Sequence, residues 1–388
     1  MPNPANTSAP SIVIGAGGTG GHIYPGLAVA DALRAKRSDA KIVFVGTPRG
    51  LERKLIPKAG YELATVDMLP FSMALGWRMM LFPFALIRAV GQSVRLLRQR
   101  HADVVLGMGG YPSVPAVVAA YLTRRPRIIH ESNATPGLAN RFVSRFVADI
   151  ALAFDAGAIR NPGDRRHMRV IGMPLNSALA GFDREMLHDQ ARAHFGVAPN
   201  QRMVLVNGGS LGAVRLSQSA VDLAARWRDR DEVKLVIKAG KDQLTSLKEQ
   251  LAASGGDRVA TAVAYLDRMD LAYAAADIAV CRAGSGTVAE LAHVGLPAIL
   301  VPYPSAAHDH QTFNAQALVR TGGALMLRDD EVTAQRLEQL LDPVLADPAA
   351  LAKMAAAVHQ PVHTNAAAEL ADWVLQLGGA HHAEETAS

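Results

Sequence analysis

The segment Ser11-Ile12-Val13-Ile14-Gly15-Ala16-Gly17-Gly18-Thr19-Gly20-Gly21-His22-Ile23-Tyr24-Pro25-Gly26 decides how the rest of the chain is read. A short β-branched run ends in a glycine-rich loop, and a helical pattern starts at Ile23. Strand, bare-backbone loop and helix N-terminus in that order suit an oxyanion, because unpaired N–H groups and the positive end of the helix dipole point the same way. His22 adds a group able to move a proton near neutral pH, so binding and chemistry are expected to meet at one loop. Gly15, Gly17 and Gly20 also satisfy G-x-G-x-x-G. A nicotinamide enzyme would place a ribose-binding acid after its second strand. Here that strand, Lys41–Val45, runs into Gly46-Thr47-Pro48-Arg49, and the first acid is Glu52. The dehydrogenase reading is set aside for that reason, and a P-loop because no G-K-[ST] triplet occurs.

Outward from this segment, short apolar runs alternate with helical patterns. Strands are expected at Ser11–Ile14, Lys41–Val45, Val104–Leu106, Arg127–His130 and Asp149–Leu152. A second series follows at Met203–Val206, Val233–Ile237, Arg258–Ala262, Ile278–Cys281 and Ala298–Val301. Nearly continuous apolar strands alternating with helices indicate parallel sheets covered on both faces. Glycine loops fall into two sets, Gly15–Gly21 with Gly107–Gly110, and Asn207–Gly212 with Arg282–Thr287. The expected fold is α/β, with two doubly wound Rossmann-like domains facing across a cleft. The first domain is placed at 1–174 and the second at 175–363, with little structure from Gly172-Met173-Pro174 to Phe182. A helix over 364–378 is expected to pack back on the first domain, and 379–388 reads as a frayed tail.

The chain of 388 residues is 49% apolar, which is ample for two globular domains. Residues 1–10 hold no basic cluster or long apolar core, so no secretory signal is expected. The single cysteine, Cys281, excludes an intramolecular disulfide and fits a reducing compartment; after the apolar run Asp277–Val280 it reads as a buried small residue. Residues 1–175 carry 22 Lys and Arg against 10 Asp and Glu, while the remainder carries 18 against 25. A basic half implies an anionic partner, either nucleic acid or a membrane surface.

The stretch between Asp67 and Asp103 separates those two. It has no acid, and it interleaves Arg78, Arg88, Arg95, Arg98 and Arg100 with Met73, Trp77, Met80, Leu81, Phe82 and Phe84. Large aliphatics, Trp and Arg suit an anionic headgroup region, whereas nucleic-acid grooves use polar and stacking groups. Arg78 and Pro83 break the run, so it is not expected to span a bilayer. Membrane contact is therefore expected at Trp77, Arg78, Met80, Leu81, Phe82 and Phe84, and no nucleic acid. Leu86, Val90, Val94 and Leu97 form a helical stripe and are expected in a core.

In the second half, Gly208-Gly209-Ser210 follows a strand and can offer N–H groups and a hydroxyl to a diphosphate. Gly284-Ser285-Gly286-Thr287 opens a helix, and Glu290 one turn in could accept both hydroxyls of a ribose. His308 and His310 lie two apart without a further suitably spaced carboxylate beyond Asp309, so no metal is assigned. Gln311 and Asn314, three apart, can share a helix face and suit sugar hydroxyls. In the first half, Tyr111 and His130-Glu131-Ser132-Asn133 stand at strand ends, where a His-Glu pair can hold a proton.

Taken together, Gly17–Ala28, Gly107-Met108-Gly109-Gly110-Tyr111, His130-Glu131, Gly208-Gly209-Ser210, Cys281-Arg282-Ala283-Gly284 and His310–Ala315 resemble, in order, the motifs of the MurG family of peptidoglycan N-acetylglucosaminyltransferases in glycosyltransferase family 28. The resemblance spans nearly the whole chain. It implies a GT-B fold, UDP-GlcNAc as donor on the C-terminal domain and lipid I as acceptor on the N-terminal domain, at the cytoplasmic face of the bacterial inner membrane. It further implies that Thr19, Gly20, Gly21 and Asn133 reach the donor, as do Ser210, Leu266 by its backbone, Ser285, Gly286, Thr287, Val288, Ala289, Glu290, Gln311 and Asn314. Tyr111, Asn140, Asn176 and Arg282 complete the expected substrate-binding set.

Three motifs depart from the family pattern. Ser132 stands for Gln, Leu211 for Gln, and Gly172-Met173-Pro174-Leu175-Asn176 for Gly-Asn-Pro-Val-Arg, where Met173 replaces Asn and Asn176 replaces Arg, which removes a cation expected near substrate. The expected reaction is an inverting transfer that uses no cofactor or metal, with His22 the first candidate base and Glu131 and His130 next. A transferase acting on another lipid, such as diacylglycerol, and a catalytically weakened membrane-bound UDP-sugar binder are the alternatives.

Overall fold

The computed structural model describes residues 9–69, 80–154, 167–209, 213–359 and 365–387. The chain divides into two compact units, Met1–Ser177 with His363–Ser388, and Ala178–Val362.

The first unit holds β1 (Ser11–Gly15), β2 (Lys41–Gly46), β3 (Glu62–Thr65), β4 (Val104–Gly107), β5 (Arg127–Glu131), β6 (Asp149–Leu152) and β7 (His167–Val170). They form one parallel sheet in the order β3-β2-β1-β4-β5-β6-β7. Successive residues enter opposite cores: Ile12, Ile14, Phe44, Val104 and Leu106 on one face, Val13, Val45, Val105, Ile129 and Leu152 on the other. Both faces are buried, which is why these strands read as apolar runs without alternation.

The second unit holds β8 (Arg202–Asn207), β9 (Val233–Lys238), β10 (Ala260–Val263), β11 (Ile278–Cys281), β12 (Ala298–Leu300) and β13 (Ala324–Met326), parallel and in the order β10-β9-β8-β11-β12-β13. In each sheet the strand order reverses at one place, between β1 and β4 and between β8 and β11. The glycine loops leave the sheets there, with Gly15 paired to Gly107 and Asn207 to Cys281. Crevices at such reversals are where doubly wound sheets bind ligands.

Three strands were not signalled by the sequence: β3, β7 and β13. All three are edge strands with exposed or half-buried residues, so the continuous apolar signature is missing.

The helix Ala366–Ala387 belongs to the first unit, where Leu370, Ala371, Trp373 and Val374 join the core of Val29, Leu33 and Ile12. Lys36 Nζ meets Asp372 at 2.8 Å, and the Arg169 guanidinium lies 4.5 Å over the Trp373 ring. The helix runs past Gly379, where the sequence suggests a tail, on to Ala387. Gly378 sits against β4, its Cβ position 3.4 Å from Val104, so packing holds the helix across the two glycines, and helix-favouring Ala and Glu follow. The stretch after Pro174 likewise contains a short helix, Ser177–Ala180.

Candidate active site

After β1 the glycine loop enters the helix Gly20–Lys36, with Thr19 extended at its N-cap. The Thr19 hydroxyl lies 3.2 Å from His22 Nδ1. With Nδ1–H donating to that hydroxyl, the ring is in the tautomer whose Nε2 carries the lone pair. Beneath the loop lies the fully buried Glu52. Its Oε1 accepts from the Thr47 N–H at 3.0 Å and hydroxyl at 2.7 Å, and its Oε2 accepts from the Gly18 N–H at 3.1 Å. This corrects the first impression of an oxyanion cradle: the Gly18 N–H is already taken by a carboxylate, which disfavours an anion at that point. Glu52, noted in the sequence only as a misplaced ribose ligand, anchors the loop.

The second glycine loop closes on the first. Gly109 and Gly110 are left-handed (φ 91° and 75°). A Cβ on Gly109 would sit 3.0 Å from the His22 ring, and one on Gly110 would sit 2.5 Å from the Gly17 carbonyl oxygen. Only glycine allows both this conformation and this approach. The Tyr111 ring flanks Gly18, and its hydroxyl reaches to 3.5 Å from that of Thr47.

At the end of β5, His130 and Glu131 turn out to be internal. His130 is fully buried, with Nε2 3.0 Å from the Gly172 carbonyl oxygen and Nδ1 3.4 Å from the Ser132 hydroxyl. Burial holds its pKa down at about 4, with a smaller contribution from nearby His22. Both ring nitrogens face groups of the protein, and His130 is a neutral tie between β5 and Gly172, poorly placed to act as the base that the sequence suggests. Glu131 is also buried; Oε1 accepts from the Asn133 N–H at 2.8 Å and amide at 3.1 Å, and Oε2 from the Gly137 N–H at 3.1 Å and the Asn140 amide at 2.9 Å. Burial pushes its carboxyl up while these donors pull it down. Four donors leave it poorly placed to take a proton from substrate, and it organises the loop to Asn140. Asn140 is itself buried and also donates to the His130 carbonyl at 3.0 Å, close beside Gly109. Asn176 is exposed, next to the helix Ser177–Ala180.

In the second unit the helix Ser285–Val294 follows Gly284, whose backbone is extended. Its first bond is Val288 N–H to the Gly284 carbonyl at 3.0 Å, so the N–H groups of Ser285, Gly286 and Thr287 have no partner within the helix. A Cβ at Gly284 or Gly286 would meet nothing within 4 Å, so open space lies over this turn. The Val288 side chain is fully buried, and Thr287 and Ala289 are half-buried. Glu290 accepts a hydrogen bond of 2.6 Å from the buried Tyr273 hydroxyl. Burial pushes the Glu290 carboxyl up to about 7 despite that bond, and pushes the Cys281 thiol up to about 12. Tyr273 gave no sequence signal, because it lies among apolar residues in the short helix Met269–Ala275, away from any glycine motif.

Two expected ligand contacts are occupied internally. Arg282 is buried, paired with Asp329 at 2.7 Å and donating to the Val301 and Pro302 carbonyls at 3.3 and 3.2 Å, which ties β11 to β12. Asn314 is fully buried, its amide 3.3 Å from the Ala283 carbonyl, so it braces the loop ahead of Ser285 instead of pairing with Gln311 on an open face. Gln311 is half-buried, and its Oε1 accepts from the Tyr303 N–H at 2.9 Å. Leu266 is buried, consistent with a contact through its backbone alone. Ser210 lies outside the described residues.

Of the expected membrane contacts, Trp77 and Arg78 lie outside the described residues. Met80, Leu81 and Phe84 are exposed at the start of the helix Phe82–Gln99, and Ile87 one turn further is 70% exposed. Phe82 is corrected: it packs against the core together with Leu86, Val90 and Val94. Arg88 is exposed beside this apolar surface. No helix among the described residues is long and apolar enough to cross a membrane.

Residues 12–152 match the glycosyltransferase family 28 N-terminal domain, and residues 203–372 the glycosyltransferase family 28 C-terminal domain. The chain is 41% identical over 347 residues to the UDP-N-acetylglucosamine–N-acetylmuramyl-(pentapeptide) pyrophosphoryl-undecaprenol N-acetylglucosamine transferase of Streptomyces coelicolor, covering 89% of this chain and 92% of that one. The enzyme of the same name from Clavibacter sepedonicus is 40% identical, covering 93% and 95%. Among solved structures, MurG of Acinetobacter baumannii aligns with a TM-score of 0.74 at 27% identity, over 95% of this chain and 99% of that one. The calicheamicin glycosyltransferase CalG4 shares the fold alone, with a TM-score of 0.67 at 14% identity over 96% and 99% of the two chains. The two parallel-sheet domains are those of the GT-B class.

Proposed function

Because the chain belongs to glycosyltransferase family 28, we propose that it transfers N-acetylglucosamine from UDP-GlcNAc to the MurNAc C4 hydroxyl of lipid I, giving lipid II in peptidoglycan synthesis. The observation that carries this is about 40% identity, over nine-tenths of both chains, to transferases named for that donor and acceptor.

In the inverting reaction a base takes the C4 hydroxyl proton, the oxygen attacks the anomeric carbon, and the carbon–oxygen bond to UDP breaks with its electron pair leaving on the diphosphate. His22 is the base in this reading: it is half-buried and stands on the loop where the two glycine turns of the first unit meet. In the second unit, the open turn at Ser285–Thr287 holds the departing diphosphate through N–H groups and helix dipole, electrostatics already in place before the bond breaks. Glu290 accepts the ribose hydroxyls, with Tyr273 occupying one of its oxygens.

This role makes donor binding sensitive to pH. The ionised carboxylate is the better acceptor, so UDP affinity is expected to rise about tenfold between pH 6 and pH 8, following ionisation of Glu290 at about 7. Tyr273→Phe removes the bond that lowers this value, so the rise should move to higher pH in calorimetric titrations. An unmoved profile would rule out Glu290 as the group responsible. The folded state also favours the protonated form, so this group's contribution to stability falls as pH rises from 4.5 to about 7.

Met80, Leu81, Phe84 and Ile87 with Arg88 form the surface that meets the anionic inner membrane on its cytoplasmic face, as a peripheral attachment. One assay tests both proposals: labelled UDP-GlcNAc with lipid I or diacylglycerol, in detergent and in anionic vesicles. A β-1,4-linked disaccharide on lipid I is expected. Phe84→Glu should slow transfer severalfold in vesicles and leave the detergent rate unchanged. Transfer to diacylglycerol, or donor binding without transfer, would overturn the acceptor assignment, and equal vesicle rates would overturn the docking surface.

A further inference from the structure

Lys238 ends β9, directly beside Asn207 at the end of β8, and both strands open at the ligand-binding edge of the second sheet. Its ammonium donates to the Gly209 carbonyl at 2.7 Å, and among the described residues no carboxylate lies within ion-pairing distance of it. The sequence Asn207–Gln218 contains no acid, so the adjoining loop brings no countercharge of its own. The side chain is half-buried, and this burial without a negative partner depresses its pKa. An ammonium has three donors, of which the Gly209 carbonyl takes one. Gly209 is left-handed (φ 79°), its N–H is held by Asn207 Oδ1 at 3.0 Å, and a Cβ there would meet nothing within 4 Å. A half-buried cation with no carboxylate partner among the described residues thus lies beside a glycine turn, which costs free energy unless an anion completes it.

We propose that Lys238 is a diphosphate-binding residue, its two remaining N–H donors taking a phosphate oxygen of the nucleotide-sugar donor. The inference rests on the donor assignment above and extends it to a residue outside the motifs.

The test is calorimetry on the full chain with UDP, uridine and inorganic pyrophosphate, comparing wild type with Lys238→Gln and Lys238→Arg. Lys238→Gln is expected to weaken UDP and pyrophosphate by about tenfold to a hundredfold, the range for a charged hydrogen bond, and to leave uridine unchanged. Lys238→Arg should recover most of the loss. Equal weakening of UDP and uridine would mean that the lysine only shapes the Gly209 turn, and no weakening would remove it from the site; either result overturns the proposal. Lys238-dependent pyrophosphate binding in a chain that binds no UDP would uphold the anion site and defeat the nucleotide-sugar reading instead.

Discussion

His22→Ala is expected to lower kcat for transfer to lipid I by about a hundredfold to ten-thousandfold, the usual contribution of a positioned general base, while UDP affinity stays within about twofold of wild type. The separation follows from the fold. His22 belongs to the first unit, against Gly109 and Gly110, whereas the groups proposed to hold the diphosphate and ribose belong to the second. The protein itself should remain intact, because His22 is half-buried in the first turn of its helix and outside the core clusters. A variant that keeps most of its turnover would dismiss His22 as the base. Thr19→Val is a useful companion: it removes the hydroxyl that orients Nδ1 and should reduce kcat less than loss of the ring.

Glu131→Gln should act in the opposite manner, on stability before chemistry. One of its two acceptor oxygens becomes an NH2 group facing N–H donors from Asn133, or from Gly137 and Asn140. A buried clash of donors with charge-assisted bonds lost is expected to cost about 2–3 kcal/mol of unfolding free energy, read from urea denaturation. Turnover should fall as the 131–140 loop loosens, since Asn140 lies beside Gly109 and His22. If the variant unfolds like wild type yet loses turnover completely, Glu131 is the base after all and His22 an accessory.

The contrast between these residues shows how far the motifs could be read. His22, His130 and Glu131 look alike in one dimension, a titratable group at the end of an apolar run. Three dimensions separate them, because the chain before β6 folds back over His130 and Glu131 and supplies Ser132, Asn133, Gly137 and Asn140 as partners, whereas His22 is half-buried and meets the Thr19 hydroxyl of its own loop. Arg282 and Asn314 show the same limit: a polar residue in a glycine motif can serve the ligand or brace the loop, and its distant partners, Asp329 and the Ala283 carbonyl, are visible only in the fold. Glu52, Tyr273 and Lys238 were missed because each acts on a loop far from it in sequence.

The sequence by itself determined the two doubly wound sheets, their central strands and the four glycine loops. Strands buried on both faces must be continuously apolar, and tight turns beside a ligand must lack Cβ atoms, so both leave local marks. The tertiary structure alone decided the edge strands, the continuation of the last helix across Gly378, and which polar groups are spent internally. Those depend on hydrogen-bond partners and packing surfaces brought from remote segments, and the cost of leaving a buried polar group unpaired is settled only where the chain meets itself. For the opening glycine loop, the residues told of a place where backbone comes close to a ligand. That a buried carboxylate holds it from below, leaving a histidine at its rim, is a fact of the folded chain.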